Sequence, residues 1–168
     1  GLTTLNAFFG SDVAQDVVNT RGKSDYIVST NTFAHTPKIR DFIKGLKVML
    51  SSDGVGLIEV HYLGSMLESN AFDTIYHEHF SYWSLTNLRK ALLDFNLEIF
   101  DVQILPVHHG QIRIFISHPG VFEIKQSVNA LLSKELVEDI HGSLLQLFSD
   151  RVNGIKKDLA KLFAEIKS

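Results

Sequence analysis

Apolar positions along the chain recur at two periods, and the switches between them mark out the elements. After Ser11, a residue suited to accept a backbone N–H as a helix N-cap, Val13, Ala14, Val17 and Val18 repeat at helical spacing. Arg21-Gly-Lys-Ser breaks that helix, and Asp25-Tyr-Ile-Val-Ser-Thr is a short apolar run of the kind buried in parallel sheets. Upstream, residues 2–5 read as the tail of a strand and Asn6-Ala-Phe-Phe-Gly as the turn after it. Pro37 suits the first turn of a second helix, with Ile39, Phe42, Ile43, Leu46 and Leu50 at helical spacing and Asp53-Gly54 as its end. Residues 55–62 then read as strand, and Glu59 and His61 leave the same face near its carboxyl end.

Residues 64–70 suit a short helical turn, and Thr86 suits the N-cap of a helix that buries Leu88, Leu92 and Leu93 and ends at Asn96. Residues 97–105 and 111–117 are strands, joined by Pro106-Val-His-His-Gly, which is short enough for an antiparallel hairpin. From 122 to 168 the pattern is helical, with a break at His141-Gly142. Leu145, Phe148, Val152, Ile155, Leu159, Leu162 and Ile166 alternate steps of three and four, an apolar seam over three heptads. Such a seam either packs on its own domain or docks on another chain or domain. Gly154 weakens the helix by about 1 kcal/mol relative to Ala without interrupting the seam.

Composition adds limits. At 168 residues, 45% hydrophobic and 21% charged, the chain is long enough to bury one core as an ordinary soluble domain. A net charge of −3, with the 16 Lys and Arg spread along the chain, offers no basic field for nucleic acid. The absence of cysteine removes disulfides and thiolate metal sites and suits a cytoplasmic address. No apolar run approaches the roughly 20 residues of a membrane span.

Between strand and helix, residues 72–85 place Tyr76, His77, Glu78 and His79 side by side. Four adjacent groups able to take, give or orient a proton each need a partner when withdrawn from water, so packing alone does not account for them. Asp73-Thr-Ile-Tyr-His-Glu-His-Phe-Ser-Tyr resembles the signature of the S-adenosylmethionine-dependent C-methyltransferases that act on nucleotide-linked 4-keto-deoxysugars. Asn6-Ala-Phe-Phe-Gly, Asn31-Thr-Phe-Ala-His-Thr-Pro, Ile58-Glu-Val-His-Tyr-Leu and His108-His-Gly-Gln-Ile-Arg agree with that family in order and spacing, over about residues 5 to 117.

The resemblance implies an α/β fold: four strands with crossover helices and a closing antiparallel pair, forming the second half of a class I methyltransferase (Rossmann-like) sheet and followed by C-terminal helices. Residues 1–118 would be that half-domain and 119–168 a helical linker or interaction segment. Methylating a carbon beside a ketone needs a base near neutral pKa, a donor to the enolate oxygen and an aligned methyl sulfonium. Histidine, with an unperturbed pKa of about 6.5, suits the first task. The resemblance assigns the base to His79, its orientation and sugar hydroxyl contacts to Glu78, enolate donation to Tyr76, and a place across the pocket to His35. It puts Asn6 and Phe8 near the adenine of S-adenosylmethionine, Asn31 near its methionine end, and His108 and Arg113 at the substrate.

Three residues depart from the family: His61 stands where it usually has Pro, and His109 and Gln111 stand where smaller Gly and Ser are usual. No Gly-x-Gly-x-x-Gly turn, no acidic partner for the ribose and no upstream zinc-binding cysteines occur, so the chain reads as a fragment with an incomplete donor site. Its partners would then be the missing N- and C-terminal domains, the deoxysugar substrate and, through the C-terminal helix, a second copy. The strand at Asp25 would be an exposed edge. Two other classes compete. Five of the eight histidines fall between His61 and His109, and His77, Glu78 and His79 resemble part of a zinc or iron site, both histidines pointing one way if the motif is extended. A noncatalytic domain that binds a partner through the seam is the other.

Overall fold

The computed structural model describes Gly1 and residues 3–167. Its elements are α1 (Ser11–Arg21), β1 (Ser24–Thr30), α2 (Ile39–Met49), β2 (Leu50–His61), α3 (Leu63–Glu68), α4 (Leu85–Leu93), β3 (Glu98–Leu105), β4 (Gln111–Ser117), α5 (Gln126–Val137) and α6 (Ser143–Lys167), with single 3-10 turns at Phe33–His35 and Phe72–Thr74. The strands form one sheet in the order β1-β2-β4-β3. β1 and β2 run parallel, joined through α2, whereas β4 runs antiparallel to both β2 and β3.

β4 takes the inner position because it has most to bury: Ile112, Ile114 and Ile116 on one face have no exposure. They meet Ile58 and Val60 of β2, Phe42, Ile43 and Leu46 of α2, Leu88 and Leu92 of α4 and Val128 of α5 in the main core. β1 lies at the sheet edge, with Tyr26 79% and Val28 67% exposed. A smaller apolar cluster joins Met66 and Leu67 of α3 to Ala71 and to Phe148 of α6.

This topology gathers strand ends. The carboxyl ends of β1 and β2 coincide, Thr30 lying beside Glu59, and the antiparallel β4 starts at that same end, with Gln111 opposite His61. The loops that leave β1 and β2 and the loop that enters β4 therefore meet at one end of the sheet, outside the carboxyl ends of the parallel strands, the place where open α/β sheets hold ligands.

Several boundaries differ from the sequence expectations. Gly10, not Ser11, is the N-cap of α1, and the Ser11 hydroxyl instead donates to Asp41 Oδ1 at 2.6 Å. That bond, together with the Ser11 backbone N–H, holds the Asp41 carboxyl below its ordinary value. Helix α2 stops at Met49, and Leu50 is already strand, opposite Ser24. The N-cap of α4 is Ser84, whose hydroxyl accepts from Asn87 N, while the backbone N–H and hydroxyl of Thr86 both go to the Glu135 carboxylate. Leu93 is 46% exposed rather than buried. Residues 3–5 form no strand, and Leu2 lies outside the described residues, as does Ser168.

The C-terminal segment begins its helix later than expected, because Lys125 N donates to Phe100 O and Ser127 Oγ to Asp101 Oδ1, which fixes the start of α5. Along α6 only the first turns of the seam are covered. Phe148 is buried, and Val152 and Ile155 are half-buried, but Leu145, Leu159, Leu162 and Ile166 are exposed. Among the described residues, no helix is long and apolar enough to cross a membrane.

Candidate active site

Above the gathered strand ends lies a cavity of about 450 Å³ lined by Asn31, His35, His61, Asp73, Thr74, Tyr76, His79, His108 and His109. Asn31 and His35 come from the loop after β1, His61 from the end of β2, His108 and His109 from the turn between β3 and β4. Asp73 and Thr74 belong to the Phe72–Thr74 turn, and Tyr76 and His79 to the segment that follows it.

That segment is held by backbone carbonyls. Thr74 Oγ1 donates to Ala71 O at 2.7 Å, His79 N to Tyr76 O at 3.1 Å, and Phe80 N to Ala34 O at 2.9 Å, which ties the two loops together. Two imidazoles are fixed the same way. Nδ1–H of His79 donates to Thr74 O at 2.7 Å, and Nδ1–H of His35 donates to Glu78 O at 2.9 Å. A carbonyl only accepts, so each of these Nδ1 atoms carries a proton, and in the neutral ring the lone pair is left on Nε2.

His79 sits at the centre. Its ring centroid lies 4.4 Å from Tyr76, 4.7 Å from His61 and 4.8 Å from His35, and the side chain is almost fully buried. Burial first, and then the like charges that His79, His108, His35 and His109 would carry, push the His61 imidazole below its ordinary value. Tyr82, edge-on to His79, is pushed up by burial and directs its hydroxyl at Thr74 O, 3.5 Å away. The rim is conformationally costly: His108 and His109 both adopt left-handed φ, 48° and 63°, closed by Gly110 N donating to Val107 O. The two histidines form a tight turn inside the five-residue loop 106–110, in a backbone region that Asn and Gly favour. Gly110 follows at φ +101°, where a Cβ would fall 2.4 Å from the Ser65 side chain.

The structure thus brings together His79, Tyr76, His35, Asn31 and His108 of the residues singled out in the sequence. It leaves out four. The Glu78 side chain is exposed and absent from the lining, and what reaches inward is its carbonyl, on His35. Arg113 is taken by Glu59, to which Nη2 donates at 2.7 Å across the adjacent strands β4 and β2. Asn6 and Phe8 are exposed and outside the cavity, Phe8 completely so. His77 is exposed and outside the lining too: a 3-10 turn and bends, not an extended strand, carry the motif, so His77 and His79 do not share a side. Among the described residues no group of three His, Cys, Asp or Glu is arranged to hold a metal ion.

Asp73, Thr74, His61 and His109 join the cavity without having been given a role from sequence. Asp73 and Thr74 open the motif itself, which was the available signal. A larger cleft of about 770 Å³ lies between Phe72, Ile75 and α6, but His141 is the one ionisable group in its lining, so the smaller, histidine-lined cavity is the candidate site.

A family profile described as a methyltransferase domain matches residues 3–102, more than half of the chain. The chain belongs to the methyltransferase-domain family. It is 33% identical over 141 residues to the C-methyltransferase NovU of Streptomyces niveus, a match covering 83% of this chain and 34% of that relative, so the chain spans about a third of the relative's length. Among solved structures it is similar to a Haloferax volcanii methyltransferase in complex with the activator Trm112, at 14% identity and a TM-score of 0.48 over 58% of this chain and 55% of that one. It is also similar to magnesium protoporphyrin IX methyltransferase of Synechocystis with bound S-adenosylhomocysteine, at 13% identity and a TM-score of 0.45 over 62% and 49% of the two chains. The mixed sheet, with its parallel crossover pair β1–β2 and antiparallel pair β3–β4, has the strand directions expected from the sequence pattern.

Proposed function

We propose that the cavity is the proton-abstraction half of an S-adenosylmethionine-dependent C-methyltransferase acting on a nucleotide-linked 4-keto-deoxysugar. The observation that carries this reading is His79: nearly buried, its Nδ1–H committed to Thr74, its Nε2 without a hydrogen-bond partner among the described residues, and a tyrosine ring 4.4 Å away. A base needs that arrangement, a fixed ring with one lone pair directed away from its anchor. The motif around it and the relative named a C-methyltransferase point to carbon as the atom methylated.

Nε2 of His79 takes the proton from the carbon beside the ketone, and the electron pair of the broken C–H bond moves toward the ketone oxygen. Tyr76 hydrogen-bonds that oxygen as charge develops. The ionised Nδ1–H···O=C pair with Thr74 then steadies the imidazolium. When bound, S-adenosylmethionine supplies the methyl group on a positively charged sulfur. Of the residues expected to hold it, Asn31 reaches the cavity, so this chain offers part of a donor site. His35, with Nδ1 anchored on the Glu78 carbonyl, presents a second free Nε2 to the substrate. Glu78 works here through its backbone. His108 on the strained turn borders the sugar, and Arg113 secures the sheet beneath. We place the methyltransferase unit in residues 1–118, with α5 of the segment 119–168 packed on its core, and assign the exposed far end of α6 to contacts with the rest of a longer protein.

The test is methyl transfer by the full-length protein that contains this chain. A new carbon–methyl bond beside the ketone of a nucleotide-linked 4-keto-deoxysugar supports the reading. Methylation on oxygen, or none, overturns it.

A further inference from the structure

Gln111 opens β4 with its backbone opposite His61, and its side chain has no exposure at all. From there Nε2 donates across the sheet to Oδ1 of Asn31 at 2.5 Å, while its own Oε1 is buried without a partner. Nothing in packing calls for a fully buried carboxamide at this point, since leaving one acceptor unpaired costs about 1–3 kcal/mol. Asn31 is held at both ends. Its backbone takes a left-handed φ of 52°, its N–H donates to Glu59 O at 3.0 Å, and its side chain is exposed on the cavity wall beside His35 and His79. With Oδ1 occupied by Gln111, the face left to Asn31 is Nδ2, whose two N–H donors have no hydrogen-bond partner among the described residues.

We propose that Gln111 is a positioning residue: it locks the Asn31 carboxamide with Nδ2–H turned to the cavity, making Asn31 a dedicated donor to an oxygen acceptor of the ligands. The inference rests on the methyl-transfer reading for its ligand, a carboxylate or ketone oxygen, but not for its geometry. An amide left free turns over and offers donor or acceptor alike. One whose oxygen is spoken for offers donors alone, and accepting a bond strengthens them.

Two measurements test this. On the chain itself, the side-chain amide signals of Asn31 in nitrogen-15 NMR should show a restrained NH₂. Gln111→Met should make the two protons exchange faster, and Gln111→Glu should move them downfield, because a carboxylate turns Asn31 around to donate to it. Signals identical in wild type and Gln111→Met overturn the proposal without touching the methyl-transfer reading.

In the full-length protein, Gln111→Met should lower kcat/KM for methyl transfer about 10-fold, the worth of one neutral hydrogen bond, and Gln111→Glu about 100-fold. In an Asn31→Ala background the same changes should cost less than about 2-fold, because Gln111 acts through Asn31. A rise in KM for the donor places the acceptor on its carboxylate; a fall in kcat places it on the ketone. Additive losses in the double variant overturn the proposal. Should the buried changes unfold the protein, Asn31→Asp decides: it tolerates the backbone angle and keeps the Gln111 contact but presents an acceptor to the cavity. It should lose about 100-fold with unchanged melting; wild-type turnover overturns the proposal.

Discussion

The Nδ1–H of His79 is committed to the carbonyl oxygen of Thr74, 2.7 Å away, within one loop of the same motif. Both partners line the cavity, so the bond fixes the ring against the wall that it borders. That contact gives the His79 ring a defined tautomer, the feature on which the proposed base role rests. It also shows why Tyr76 and Glu78, its neighbours in sequence, end up in different roles: the turn that closes on Thr74 brings the Tyr76 ring inward and leaves the Glu78 carboxylate outside.

His61 gives the fold a pH dependence. Its imidazole is held below the ordinary 6.5 by burial and by its histidine neighbours, so the unfolded chain binds a proton at a pH where the folded chain does not. Stability that is full above about pH 6.5 therefore falls as pH drops through 6.5 toward the folded value. His61→Gln should shrink the loss of melting temperature between pH 7 and pH 5. An equal loss in both proteins would remove His61 as its source.

Glu135 holds two helices together. Reaching from α5, its buried carboxylate accepts Leu85 N at 2.6 Å, Thr86 N at 2.9 Å and Thr86 Oγ1 at 2.6 Å at the start of α4. Glu135→Ala leaves those N–H groups buried without an acceptor, and should cost about 2–3 kcal/mol in urea unfolding. A change within about 0.5 kcal/mol would mean that water replaces the carboxylate.

Along α6 the account separates two ends. Phe148→Ala removes a ring from the cluster with Met66, Leu67 and Ala71, and should cost about 3 kcal/mol and speed hydrogen exchange over residues 143–155. Leu162→Asp, at a position 49% exposed, should stay within about 0.5 kcal/mol in this chain. A large loss at Leu162 would show that the far end of the helix is covered.

Much of the fold was legible because its signals are local. The runs at Asp25 and at Gln111 are short, apolar and bounded by turn residues, and both are strands within a residue of where the pattern put them. The errors came from partners distant in sequence. Thr86 looked like a cap until Glu135, 49 residues away, took its N–H and hydroxyl. Ser11 was drawn off by Asp41, 30 residues on. Leu50 fits the helical stripe and the strand alike, and pairing with Ser24 settles it as strand. The cavity shows the same division. His79, Tyr76, His35, Asn31 and His108 lay in recognisable motifs, but that His61 touches His79, or that Gln111 reaches Asn31, follows only once β1, β2 and β4 are placed side by side.

The central claim, that His79 is the base, is tested most directly by the proton step alone. The full-length protein is incubated in deuterium oxide with a nucleotide-linked 4-keto-deoxysugar and S-adenosylhomocysteine in place of the methyl donor, and deuterium at the carbon beside the ketone is followed by NMR. Wild type should exchange that hydrogen, and His79→Gln should slow the exchange about 100-fold or more, the usual contribution of a general base. Exchange at the wild-type rate in His79→Gln would contradict the account.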